Sequence, residues 1–158
     1  MLKRIKYVSR FAKPMDAKQL DKLAKDSARR NKKQSITGIL MVSGQLFFQV
    51  IEGPAKKIED LYWNILNDTR HVDVVTLSIE DNVEDRLFPD WSMKVVVLDT
   101  ASDIRNEPLE EIMLTIIKQQ YLIDRLGRVL ERALWHDLVS AGAIPPKSKI
   151  VLPDLQKA

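Results

Sequence analysis

The 158-residue chain contains no cysteine. That excludes disulfides, thiolate nucleophiles and Cys-ligated metals, although it does not settle the redox compartment. Its two histidines, His71 and His136, lie far apart in sequence and suggest neither a metal site nor a Ser, His and acid set. Glycine is scarce too: five residues in all, none arranged as a phosphate-cradling loop. No apolar run approaches the length of a membrane span, and the N-terminal MLKRIKYVSRF mixes Lys and Arg with isolated apolar residues, so no signal-peptide core is present. With 45% hydrophobic and 30% charged residues as well, the expectation is a cytoplasmic chain with one domain and a helical appendage.

Charge is unevenly distributed. Residues 1–34 hold 12 Lys or Arg against 3 Asp, a net of +9, whereas residues 52–90 hold 4 basic and 10 acidic groups, a net of −6. Lys18, Lys22, Lys25, Arg29 and Lys32 step by four and three and so share a helix face. Such a face is ordinarily solvated, and its other use is attraction of phosphate. The acidic run 80-EDNVEDR-86 reads as a solvated turn in preference to a metal loop.

Hydrophobic periodicity predicts alternating elements. Residues 3–9 alternate as a strand, with Ile5, Tyr7 and Ser9 on one side, and 14–31 reads as a helix capped by Asp16. The runs 36-ITGILMV-42 and 46-LFFQVIE-52, joined by Ser43-Gly44-Gln45, predict a hairpin. Pro54 opens a second helix ending near Asp68, and residues 72–80 and 91–98 supply two more strands. The order β-α-β-β-α-β-β is α+β and ferredoxin-like: a five-stranded mixed sheet with two helices on one face.

The stretch 45-QLFFQVIEG-53 places Gln49 inside a nearly continuous apolar strand. A primary amide has two donors and a carbonyl acceptor, and leaving them unpaired in a core costs about 1–3 kcal/mol. Strand alternation puts Tyr7, Gln49, Trp91 and Met93 on the faces that look toward the helices. Asn31 lies eleven residues from Leu20, three helical turns, so a second amide points into the same layer. Each residue alone reads as packing or a cap; two amides and a phenol converging on one layer suggest a bound planar molecule.

The combination of 6-KYVSR-10, Asn31 before 36-ITGIL-40, 47-FFQVIEG-53, 68-DTRHVDV-74 and 88-FPDWSM-93 resembles the BLUF family, blue-light sensors that use a flavin, over about residues 2–98. The resemblance implies a flavin between the two helices, FAD in the first place, with FMN or riboflavin as alternatives. It implies that Gln49 is the switch, Tyr7 the electron and proton donor, and Asn31 the amide on the flavin's pyrimidine edge. Trp91 and Met93 would pass the change to the fifth strand. Leu23 and Ile65 would wall the ring, and Arg70, His71 or the Lys stripe would meet a phosphate tail.

Two other function classes share the fold. A nucleic-acid module needs aromatics on the open sheet face, but that face would carry Val8, Ile39, Met41, Leu46, Phe48, Val50, Leu77, Ile79, Val96 and Leu98, with one aromatic. A ligand-binding regulatory domain without light response would have a pocket and no flavin absorption.

Beyond Pro108, residues Leu109, Ile112, Ile116, Gln119, Ile123, Leu126, Leu130 and Ala133 follow heptad steps to about Ser140. This helix is expected on the uncovered sheet face or in a homodimer interface. It resembles the connector of BLUF photoactivated adenylyl cyclases, which makes a downstream effector domain or protein a second expected partner. The expected organisation is a sensor over 1–100, a helical extension over 101–142 and an extended tail over 143–158.

Overall fold

A computed structural model of the chain describes residues 1–98 and 106–142. The elements run β1 (Leu2–Phe11), α1 (Ala17–Lys33), β2 (Thr37–Ser43), β3 (Leu46–Pro54), α2 (Ala55–Leu66), β4 (His71–Val83), β5 (Lys94–Val97) and α3 (Asn106–Ser140). The expected tail over 143–158 lies outside the described residues. The chain divides into two compact units, Met1–Gln120 and Tyr121–Ala158.

Local chemistry accounts for the boundaries of α1. The Asp16 side chain accepts from Gln19 N, while the Gln19 side chain accepts from the Asp16 backbone N–H, so two otherwise unpaired donors are satisfied reciprocally. Arg30, Lys32 and Lys33 occupy the last turn, where cations suit the negative end of the helix dipole. The β2–β3 hairpin turns at Gly44-Gln45, with Gly44 at φ 54°, a conformation that favours glycine.

The five strands form one mixed sheet in the order β4-β1-β3-β2-β5, antiparallel except for the parallel β2–β5 pair. This is the ferredoxin-like arrangement with one added strand, an α+β fold as expected. On the inner face, Ile5, Tyr7, Ile36 and Ile51 pack with Ile58 and Tyr62 of α2. Beside them, Phe11, Leu40, Val42 and Phe47 pack with Leu20 and Leu23 of α1. The inner layer therefore has two apolar clusters, one beneath each helix.

The outer face is covered by the first part of α3. Met113, Leu114, Ile116 and Ile117 pack on Val8, Leu46, Phe48 and Val75. Of these four α3 residues, Ile116 belongs to the expected heptad seam and the others do not: Ile112 is exposed while Met113, one position on, is buried. The apolar stripe of α3 is wider than a two-position seam, and a flat sheet takes a different part of it than a helix would.

Two further expectations are corrected. Ile79 does not share the outer face with Leu77: β4 carries a register shift between its pairings with Lys6 and Tyr7, and Ile79 pairs with inward-facing Ile5. An extra residue at a bulge reverses the faces beyond it. The fifth strand begins at Lys94, so Trp91 and Met93 precede it. The Trp91 carbonyl accepts from Gly38 N at 2.8 Å, joining the approach segment to β2 before strand pairing begins.

Candidate functional site

The gap between the two inner clusters is a cavity of about 280 Å³, lined by α1, α2 and the sheet. It is near the lower end of small-molecule pockets. Leu23, Ser27, Asn31 and Gln34 reach it from α1 and just beyond, at the three- and four-residue steps of one helix face. Leu61, Asn64, Ile65 and Asp68 do so from α2 and its end. The floor is Leu40, Phe47 and Gln49, and Arg70, His71 and Met93 also line it.

Gln49 is 7% exposed and central. Its Oε1 accepts from the hydroxyl of Tyr7, the residue paired with it across β1–β3. Its Nε2 meets the Met93 sulfur at 3.7 Å. A thioether is a weak acceptor, so the nitrogen keeps donor capacity toward the cavity. Tyr7 is fully buried, and burial pushes its pKa well above the ordinary phenol value. The phenol therefore stays protonated and donates to the amide oxygen in this arrangement, while its own oxygen keeps the capacity to accept.

Asn31 is also buried, and its Nδ2 donates to Ser92 O at 2.8 Å. One amide thus holds the segment that carries Met93 while lining the same cavity. His71 Nδ1 lies 3.0 Å from Ser9 Oγ, and burial lowers its pKa, so the ring is held neutral. Arg70 forms a bidentate pair with Asp68, whose carboxyl is lowered to about 2 chiefly by hydrogen bonding from that guanidinium. The ring of Tyr62 stands 5.5 Å from that of Tyr7, and its hydroxyl pairs with Thr76 Oγ1 at 2.7 Å.

Of the residues singled out in sequence, Leu23, Asn31, Gln49, Ile65, Arg70, His71 and Met93 line the cavity. Tyr7 lies directly behind Gln49. Trp91 is not in the lining: it is 44% exposed, stacked on Phe88 and approached by Lys94. Its neighbour Met93 turns inward, whereas the anchored Trp91 faces out. Sequence reasoning missed Ser27, Asn64 and Asp68. The signal was present in the helical steps from Leu23 to Ser27, Leu61 to Asn64 and Ile65 to Asp68.

The BLUF family, described as sensors of blue-light using FAD, matches residues 2–94. The chain belongs to the BLUF family. Over 113 residues it is 31% identical to photoactivated adenylate cyclase subunit beta of Euglena gracilis, a match covering 71% of this chain and 13% of that protein. The chain thus spans only a small part of that relative. Among solved structures, a bacterial light-regulated adenylyl cyclase aligns with a TM-score of 0.68 at 32% identity, over 79% of this chain and 36% of that one. The BLUF protein BlrB, in its dark-state structure, aligns with a TM-score of 0.61 at 27% identity, over 84% of this chain and 96% of that one.

The donor set fits the flavin that the family uses. A planar heterocycle with both donors and acceptors needs apolar contacts for its faces and amides for its edge. Leu23 and Ile65 supply the first from opposite helices, and Asn31 and Gln49 the second.

Proposed function

We propose that this chain is a blue-light sensor module without catalysis of its own, and that the Tyr7–Gln49 hydrogen bond is its switch. The observation that carries this is the position of Gln49, held by a buried phenol on one side and open to the cavity on the other. A bound flavin would supply blue-light absorption and an acceptor for an electron and a proton. Tyr7 is the donor of both, since its hydroxyl is protonated and aimed at Gln49. Rearrangement of the Gln49 amide, by rotation or tautomerisation, exchanges donor and acceptor between Tyr7, Met93 and the cavity. Two hydrogen-bond patterns of comparable energy make a bistable element.

Asn31 would hold the pyrimidine edge, Leu23 and Ile65 the ring faces, and Arg70, His71 or the Lys face of α1 a phosphate tail. FAD is the expected flavin; FMN and riboflavin present the same ring system. Met93 passes the change toward β5, with Trp91 next to it on the approach segment. Residues 1–100 act as sensor and 101–142 as output.

The output helix is also the proposed homodimer interface, with a downstream effector as a further partner. Leu122, Ile123, Leu126, Val129, Leu130 and Leu134 are each more than half exposed within Tyr121–Ser140. An apolar stripe of this length calls for a covering surface.

The visible spectrum before and after blue light tests the reading. The purified protein is expected to be yellow and to show a small, reversible red shift. A protein that stays colourless after flavin reconstitution overturns it. The nucleic-acid alternative has less support, because Met113 and Ile116 pack on the sheet face that bases would need.

A further inference from the structure

Glu52 is a carboxylate with no part in the switch, yet it is 1% exposed. It projects from β3 on the side opposite Gln49 and forms a cross-strand row with Arg4 and Thr37. Arg4 Nε donates to Glu52 Oε2 at 2.7 Å, and its two other nitrogens reach Glu80 and the Asp85 carbonyl, each at 2.7 Å. Glu52 also accepts two backbone N–H groups, from Leu87 at 2.9 Å and Phe88 at 2.8 Å. Arg86 adds bonds to Thr37 Oγ1, Glu52 O and Ser35 O at 2.8, 3.1 and 2.7 Å.

These contacts belong to the β4–β5 connection, which must pass from one sheet edge to the other. As the chain runs from Asp85 to Trp91 it is tied in turn to β1, β3 and β2. Ser92 is then held by Asn31, and Met93 meets Gln49. One strand, β3, therefore grips this strap twice: at Glu52 through its backbone, and at Gln49 through the Met93 sulfur. The two points are three residues apart, about 10 Å along a strand.

We infer that Glu52, braced by Arg4 and Arg86, is a positioning residue that holds the strap in the arrangement placing Met93 against Gln49 and so sets how readily the lit state reverts. This rests on the photosensor reading above. Displacement of Met93 pulls on a strap whose other end is fixed to charged and backbone groups. Weakening that end removes restoring force without touching Tyr7, Gln49 or the cavity. Glutamine at position 52 keeps the shape but puts an NH2 group where a donor must be accepted.

The test compares the FAD-reconstituted parent, Glu52→Gln and Arg86→Gln. Both variants should keep FAD and the red shift, and Glu52→Gln should revert in the dark about fivefold more slowly, equivalent to about 1 kcal/mol in the barrier. Arg86→Gln should slow in the same direction. In flavin-free protein, amide hydrogen exchange at Leu87 and Phe88 should accelerate in Glu52→Gln. If Glu52→Gln does not fold, Arg86→Gln decides alone, because it leaves the buried Arg4–Glu52 pair intact. A lowered melting temperature with recovery unchanged or faster overturns the inference and leaves Glu52 an architectural anchor. No red shift in the parent overturns the photosensor reading and this inference together.

Discussion

Replacing Tyr7 with Phe isolates one hydrogen bond. The ring stays, with its packing against Tyr62 at 5.5 Å, so only the hydroxyl is lost. Left behind is Gln49 Oε1, on a residue 7% exposed. A buried acceptor without its donor costs about 1–3 kcal/mol. For a chain of this size each kcal/mol shifts the melting temperature by about 2–4 °C, so the loss should be about 2–12 °C. Tyr62→Phe is the control. Its hydroxyl pairs with Thr76, an exposed residue, and water can replace it, which puts the cost nearer 0.5–1.5 kcal/mol, or about 1–6 °C. Thermal unfolding of the flavin-free proteins measures both changes. With FAD bound, Tyr7→Phe should keep its flavin but lose the normal light-induced red shift, while Tyr62→Phe retains it. A Tyr7→Phe protein as stable as the parent and showing the full red shift would refute both the energetic reasoning and the role of Tyr7 as donor.

Gln49→Leu should likewise hold flavin and lose the normal photocycle, and a parental difference spectrum would rule out Gln49 as the switch. Asn31→Ala should weaken flavin affinity and free Ser92 O, giving faster exchange of nearby amides; unchanged affinity in a titration would remove Asn31 from the site. Ile123→Glu and Leu130→Glu should sediment as monomers that still bind flavin, while Arg125→Glu and Arg132→Glu stay dimeric; a monomeric parent at micromolar concentration refutes the dimer. The fold depresses the His71 pKa below 6.5 through burial. Its contribution to stability is therefore fully present above pH 6.5 and lost as pH falls through the folded pKa. His71→Gln should flatten that part of the denaturation profile, and an identical slope would dismiss the assignment.

Much of the sensor was legible because it depends on strict periods. Alternation along β3 puts Gln49 inward, and three helical turns separate Leu20 from Asn31, so both amides were located before any contact was known. Where a period breaks, prediction loses its footing. The bulge in β4 turned Ile79 inward, and no local turn residue announces it. The Trp91–Met93 segment alternates like a strand but is captured through Asn31 and Gly38, both distant in sequence. Met113 was not among the expected seam residues of α3, because periodicity finds a stripe and only the facing surface chooses its centre. Glu52 was counted in an acidic block. Nothing local marks it as buried, since its partners come from β1 and from a connection more than thirty residues downstream.

The bulged strand β4 is also an edge of the sheet, and the opposite edge, β5, is only four residues long. A long, regular border would invite strand addition by a second chain and, at high concentration, fibril growth. Here one border is broken by register shifts and carries Asp73, Glu80 and Asp81, while the other offers little to pair with. Both edges are poor templates for growth, so controlled association of this protein falls to surfaces other than its sheet borders.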